Sequence, residues 1–177
     1  AQKQGIYWSD HLVNKIPRKE MDEIKKYMTG KIKDKFEIVG SYRRKERESG
    51  DVDILVLTEN SMEDVLIKIM DVIVASLSCG NKKFMGIMRL SNGHMARRID
   101  IRMCDNISWP YMLLYFTGSK KFNTMMRSKA KKMGYTLNEY SIIDQKGNKI
   151  FTNNEEGIFK LLDIKYLNPE ERTRNIS

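Results

Sequence analysis

Two aspartates, Asp51 and Asp53, stand two residues apart at the head of an apolar run that ends at Leu57. On a β-strand, residues i and i+2 share a face, so both carboxylates point the same way. Such a pair at the rim of a core is costly unless a cation lies between the two. Carboxylate oxygens suit Mg²⁺, which binds one or two carboxylates together with substrate phosphates. Taken alone, the spacing also fits two solvated acids at a strand start. A third carboxylate, Asp100, lies in Arg97-Arg98-Ile99-Asp100-Ile101-Arg102, where charged and apolar residues alternate. Arg98, Asp100 and Arg102 then share one face, with Ile99 and Ile101 on the other. Placed beside the first strand, Asp100 would complete a trio able to hold two metal ions for in-line phosphoryl transfer; an exposed strand with internal Arg–Asp pairing is the alternative. Gly40-Ser41 follows a short strand, Glu37-Ile38-Val39, and precedes a helical turn. Free N–H groups, an open glycine backbone and a hydroxyl suit a phosphate there, and Arg43 and Arg44 add charge.

The elements that must position these groups can be read from spacing. Pro17 opens a helix in which Met21, Ile24, Met28 and Ile32 recur at helical intervals, with acids in its first turn. Asp51 to Leu57 is apolar on both faces past its start, as a central buried strand is. Ser61 caps a helix carrying Val65, Leu66, Ile69, Val72 and Ile73. Lys83–Leu90 and His94–Met103 form a hairpin across Asn92-Gly93, giving a sheet of at least three strands. Past Pro110 the texture changes. Gly118-Ser119 starts an amphipathic helix with Phe122, Met125, Met126, Ala130 and Met133 on one face, and Gly134 ends it. Its other face carries Lys120, Lys121, Arg127, Lys129, Lys131 and Lys132. Tyr140–Ile143 pairs with Lys149-Ile150, a last helix runs near Glu155 to Leu162, and a charged tail follows. The fold class is α+β: residues 1–110 form a mixed sheet with flanking helices, and 111–177 a small α/β subdomain.

Composition narrows the possibilities. The chain has 177 residues, 41% of them hydrophobic, which is enough for a real core and against long disorder. No apolar run approaches the roughly 18 residues of a membrane helix. Lys and Arg number 32 against 23 Asp and Glu, a net +9 that points to a polyanionic partner, nucleic acid first. Cys79 and Cys104 are too few and too far apart for a disulfide scaffold, which makes a reducing compartment the default. With His11 and His94 they make no zinc pattern.

Gly40-Ser41-Tyr42-Arg43-Arg44 followed by Ser49-Gly50-Asp51-Val52-Asp53, and then Asp100 on a later strand, resembles the nucleotidyltransferase superfamily. Arg98-Ile99-Asp100-Ile101-Arg102, Tyr115-Phe116-Thr117-Gly118-Ser119 with Phe122-Asn123 and Met126-Arg127, and Leu137-Asn138-Glu139-Tyr140 extend the match in order. Together these motifs resemble the palm and thumb of family X DNA polymerases. The resemblance implies a template-directed polymerase that fills short gaps in DNA repair, base excision repair included. It adds deoxynucleotides from dNTPs to primed or gapped DNA, as a monomer. Asp51, Asp53 and Asp100 would hold two Mg²⁺ ions per site, with Mn²⁺ a possible substitute. Gly40, Ser41, Arg44, Ser49, Gly50 and Lys15 would bind the triphosphate, Tyr115 and Phe116 the sugar, and Gly118 would also belong to the nucleotide site. Asn123 would reach the base edge, Arg127 the template, and Arg98 would restrain Asp100 on the DNA side. Arg102 and Glu139 would take part in an open-to-closed switch. The implied location is intracellular: the nucleus of a cell, or the cytoplasmic factory of a virus.

Three positions depart from the pattern. Lys45 replaces a small residue after the double arginine and is expected to add bulk and charge at the phosphate site. Lys120 replaces an Asp beside the nucleotide base, and Thr124 a template-contacting Lys. The N-terminal lyase domain and paired helix-hairpin-helix motifs of many family members are expected to be absent, leaving no deoxyribose-phosphate lyase activity and weakened, salt-sensitive DNA binding. The chain starts at Ala1 rather than Met, which fits either a piece of a longer polymerase or a processed minimal enzyme. Other readings are a template-independent, terminal-transferase-like enzyme, a non-catalytic DNA-binding module, and an RNA- or small-molecule-directed transferase.

Overall fold

The computed structural model describes residues 2–173, so Ala1 and the last four residues of the charged tail lie outside the described residues. The chain divides into two compact units. One comprises Ala1–Ile38 and Glu46–Cys104, the other Val39–Lys45 and Asp105–Ser177.

In the first unit, short helices α1 (Gln2–Tyr7) and α2 (Ser9–Leu12) lead into β1 (Ile16–Pro17) and α3 (Arg18–Lys31). Pro17 stands at the N-cap of α3 in extended backbone, and Met21, Ile24 and Met28 form its buried stripe. After β2 (Lys35–Ile38) the chain makes α4 (Gly40–Arg43), which belongs to the second unit, and returns through β3 (Glu48–Ser49). β3 pairs with β1, setting Ile16 opposite Ser49. There follow β4 (Val52–Leu57), α5 (Met62–Lys68), β5 (Ile73–Cys79), β6 (Lys83–Met88) and β7 (Arg97–Cys104). The sheet order is β2-β4-β7-β6-β5. β4 and β7 run parallel and the other neighbours antiparallel, so the sheet is mixed, as the sequence reading expected. Ile54, Leu55 and Val56 are all almost fully buried, the mark of a strand covered on both faces.

Three differences from the sequence reading stand out in this unit. The strand expected from Asp51 begins at Val52, leaving Asp51 at its mouth. The apolar spacing from Val65 to Ile73 predicts one helix, yet α5 ends at Lys68 and Ile73 opens β5. Val72, Ile73 and Val74 are β-branched in succession, which favours a pleated strand over a helical turn. The pairing of β5 with β6 also depends on Gly86, because a Cβ there would come within 2.6 Å of the Ala75 carbonyl oxygen. Asn92-Gly93 does form a turn, but inside a wider loop: pairing stops at Met88 opposite Arg97. Arg89 folds back instead, donating to the carbonyls of His94 at 2.8 Å and Asn92 at 2.5 Å. The two histidines are structural: His11 accepts from the Ala96 N–H, and His94 lies between Ser91 and Glu23. Both cysteines are free thiols.

The second unit adds α6 (Trp109–Thr117), α7 (Lys120–Lys132), β8 (Thr136–Leu137), β9 (Ile142–Ile143), β10 (Lys149–Ile150) and α8 (Glu155–Leu161). Sequence spacing gives no sign of α6, because Trp-Pro-Tyr-Met-Leu-Leu has no polar face to mark a period; six of its first six residues are buried. Ser119 caps α7 by accepting from the Phe122 N–H, and Phe122, Met126 and Ala130 carry its buried face. They join Tyr111, Leu114, Ile142, Ile158 and Phe159 in one core. Tyr140 and Ser141 stay outside the strand expected there, and only Ile142-Ile143 pairs with Lys149-Ile150.

This core is locked by a buried ionic cluster. Glu155, at the start of α8, accepts from Arg43 of α4 at 2.6 and 3.1 Å and from Arg172 at 2.5 Å. Arg172 is fully buried and lies against the rings of Phe122, Phe159 and Tyr166. Arg43 also donates to Thr117 at 2.8 Å. Burial alone would raise the Glu155 carboxyl, but hydrogen bonds from Arg43 and Arg172 and their charges outweigh it and hold the group below the ordinary carboxylate range. A depressed acid stabilises the fold above its unfolded value and loses that contribution as pH falls through the folded one. Glu155→Gln should therefore cost about 3 kcal/mol at neutral pH, the scale of a broken buried pair. In urea unfolding followed between pH 7 and pH 3, the wild-type advantage should shrink below the ordinary glutamate range; a constant gap would contradict this account.

Candidate active site

The parallel register of β4 and β7 sets Asp53 opposite Asp100, Val52 opposite Ile99 and Ile54 opposite Ile101. Register partners in a parallel pair share a face, so the two carboxyl groups stand side by side. The burial alternation along β7 agrees: Arg98, Asp100 and Arg102 are half-buried, and Ile99 and Ile101 are fully buried. Burial raises the Asp53 carboxyl most, and the charges of Asp100 and Asp51 and a hydrogen bond to Asp100 raise it further. Arg102 offsets this only in part, and the group is pushed up to about 6. Asp51 is also raised, first by burial. Arg98 is its strongest charged neighbour and opposes the rise, Asp100 adds to it, and Lys15 opposes it.

The three expected carboxylates therefore feel one another, though not as equals. Asp53 and Asp100 are a register pair, while Asp51 precedes the strand and has Arg98 as its strongest charged neighbour. Among the described residues no three His, Cys, Asp or Glu side chains are arranged to hold a metal ion. The donor set nonetheless fits a hard divalent cation. All its ligating atoms are carboxylate oxygens, and the Asp53 carboxyl, raised first by burial, is raised further by the charges of Asp100 and Asp51, which Arg102 offsets only in part.

Lys15, Gly50, Asp51 and Arg98 line one open pocket beside these acids, together with Leu12 and Asn14. The Lys15 ammonium lies 3.8 Å from where a Cβ on Gly50 would stand. Ser49 is buried and sits in β3 opposite Ile16. Arg97 escapes a reading based on charge alternation. It shares the buried face with Ile99 and is paired with Glu20 at 2.5 and 3.0 Å. No spacing rule separates it from the half-buried Arg98 beside it; only the buried parity of β7 does.

The remaining candidates lie in the second unit. Gly40 and Ser41 begin α4. Arg44 donates to the Thr117 carbonyl at 2.6 Å. Gly118 adopts φ +68, and a Cβ there would be strained and would meet the Arg44 guanidinium at 3.2 Å. Lys45, expected to crowd a phosphate site, has φ +62, and its ammonium pairs with Glu170 at 3.2 Å. The left-handed backbone explains why a small residue is at home in that position. Tyr115 and Phe116 pack edge to face, 5.0 Å apart. Asn123 donates to the Tyr115 carbonyl at 2.7 Å, so its amide braces the end of α6 in this conformation. Arg127 is exposed and lines a small cleft with Tyr115, Asn123 and Asn138. Lys120 and Thr124 are exposed on α7, and Glu139 is half-buried in the β8–β9 turn. Arg43, Glu155 and Arg172 were not foreseen as site supports. Glu155 and Arg172 lack any motif, and Arg43 reads in sequence as one more phosphate-binding cation.

Residues 15–106 match the family model of the DNA polymerase beta palm, and residues 112–173 that of the DNA polymerase beta thumb. Over 97% of its length the chain is 30% identical to DNA polymerase lambda of Rattus norvegicus and 25% identical to DNA polymerase lambda of Arabidopsis thaliana. It covers 35% and 39% of those two proteins, so it spans well under half the length of the curated relatives it matches.

A raised carboxyl makes Asp53 a cost to the metal-free fold. The penalty grows as pH rises from the ordinary Asp range to about 6 and is constant above that. Asp53→Asn should stabilise the chelated protein at pH 7 by about 2 kcal/mol, a conversion at about 1.4 kcal/mol per pH unit discounted for partial exposure. Mg²⁺ should raise the melting temperature of the wild type and leave that of the variant unmoved. A variant less stable than wild type in chelator would refute the electrostatic account.

Proposed function

The chain belongs to the family X DNA polymerases, and on that premise we propose that it is the catalytic portion of a template-directed DNA polymerase that adds dNMP to a primer 3′-OH and fills short gaps during repair. The observation that carries this reading is the Asp53–Asp100 register pair on adjacent parallel strands, with Asp51 at the strand mouth. Asp51, Asp53 and Asp100 would hold two divalent ions, Mg²⁺ by donor type. Bound there, such ions supply charge neutralisation for the triphosphate and acidify the attacking hydroxyl.

The chain's own residues perform the rest. In the first unit, the Ser49 hydroxyl, the Gly50 backbone and the Lys15 ammonium bind phosphate oxygens, and the absence of a side chain at Gly50 leaves that backbone open to approach. Arg98 partly offsets the rise that burial imposes on the Asp51 carboxyl. Arg102 does the same for Asp53, so a change at Arg102 would alter the basicity of the site. In the second unit, Ser41 and Arg44 bind the triphosphate, and Gly118 keeps the Arg44 guanidinium unobstructed. Tyr115 and Phe116 receive the sugar with backbone close enough to exclude a 2′-hydroxyl. Asn123 and Arg127 face the minor-groove side of the nascent pair, where acceptors are alike for all correct pairs and shape alone is tested. The net charge of +9 supports a polyanionic substrate.

Single-nucleotide extension on a gapped duplex with Mg²⁺ tests this, each dNTP offered alone against each template base. Extension by the matching dNTP only, reduced by a factor of at least about 10³ in Asp100→Ala, is the expected result. Incorporation of any dNTP would replace the reading with a template-independent transferase. DNA binding without turnover would replace it with a binding module.

A further inference from the structure

Arg97 stands one residue from Arg98 and faces the other way, into the first unit. Its guanidinium is committed on two sides. Nε and Nη2 form a fork onto the Glu20 carboxylate of α3, at 3.0 and 2.5 Å. Nη1 donates to the carbonyl oxygens of Asn14 and Lys15, at 3.2 Å each. Arg97 is 5% exposed, so these bonds form out of water. The next residue, Ile16, is the strand partner of Ser49. A single buried cation thus grips the backbone that carries Lys15, immediately before that backbone pairs with the stretch bearing Ser49 and Gly50. The Lys15 side chain opens into the pocket it shares with Gly50, Asp51 and Arg98.

We propose that Arg97, held by Glu20, is a positioning residue for the triphosphate: it fixes the Lys15 backbone so that the ammonium meets the phosphates beside Gly50. A lysine stem has four rotatable bonds, and its charge can be aimed only if its Cα is fixed. Nothing else among the hydrogen bonds described at the Asn14 and Lys15 carbonyls does this. Arginine is required because a fork and a third donor in one plane can reach a carboxylate and two carbonyls together; a lysine nitrogen cannot span them. Arg97 does not touch substrate, and its effect passes through Lys15. This inference rests on the polymerase reading for the identity of the triphosphate.

The test compares wild type, Arg97→Lys, Lys15→Ala and the double variant. Melting curves confirm folding, and Glu20→Gln serves as a milder disturbance of the same grip should Arg97→Lys fail to fold. For each protein, dNTP affinity is measured by equilibrium dialysis with Mg²⁺ and gapped DNA, and kcat and KM for single-nucleotide extension alongside. Arg97→Lys should weaken dNTP binding and raise KM about tenfold, with kcat changed less than about twofold. The double variant should be no worse than Lys15→Ala, because the grip has nothing left to aim. Multiplying effects in the double variant, or a fall in kcat at unchanged KM, would overturn the proposal. A wild type that binds dNTP without extending DNA would sink the polymerase reading, while the coupling in affinity would still decide this one. A wild type that binds no dNTP would overturn both.

Discussion

The parallel pairing of β4 with β7 is the constraint from which the candidate chemistry follows. A shift of one residue in that pairing would turn one carboxylate from the shared face into the core. The register is held by the apolar halves of the same strands, where Ile54 pairs with Ile101 and Val52 with Ile99 in a fully buried layer. The core therefore pins two negative charges together at the mouth of the sheet. Burial and then the charges of Asp100 and Asp51 raise the Asp53 carboxyl, a cost that a divalent cation would relieve.

The second unit is organised around an opposite polarity. Glu155 is one buried acid between two arginines, and the cations brace α4, α6 and α8 rather than face solvent. A buried ion pair of this kind is weak support for stability in itself, since a well-packed apolar trio could serve as well. Its use here is specificity of arrangement. The fork of Arg43 and the ring contacts of Arg172 admit few alternative packings of the same helices, and Arg44 inherits its place from Arg43 through Thr117.

Legibility in the sequence followed the strength of local signals. Helical spacing after Pro17 marks α3, helical spacing between Ser119 and Gly134 marks α7, and alternation along Arg97–Arg102 marks the face that Asp100 occupies. The site acids were legible because their types and order carry chemistry. Elements without contrast were lost. α6 is apolar on every side, and β5 hid behind the accidental helical spacing of Val72 and Ile73. The roles of Arg43, Arg97 and Arg172 were illegible for a different reason. An arginine's sequence neighbours do not reveal whether its partner, 17 to 112 residues away, is a phosphate or a buried glutamate.

The placement of Val39–Lys45 bears on how the chain is made. This seven-residue stretch belongs to the second unit although both its flanks belong to the first, and Arg43 and its partner Glu155 are 112 residues apart. During synthesis every strand of the five-stranded sheet has emerged by Cys104, while Arg43 still lacks Glu155 and Arg172. Domains generally close in the order they leave the ribosome. The first unit can assemble early around a loop left open, and the second closes last, drawing that waiting loop into its core. The last contact to close in that order is then the capture of one arginine by a helix translated long after it.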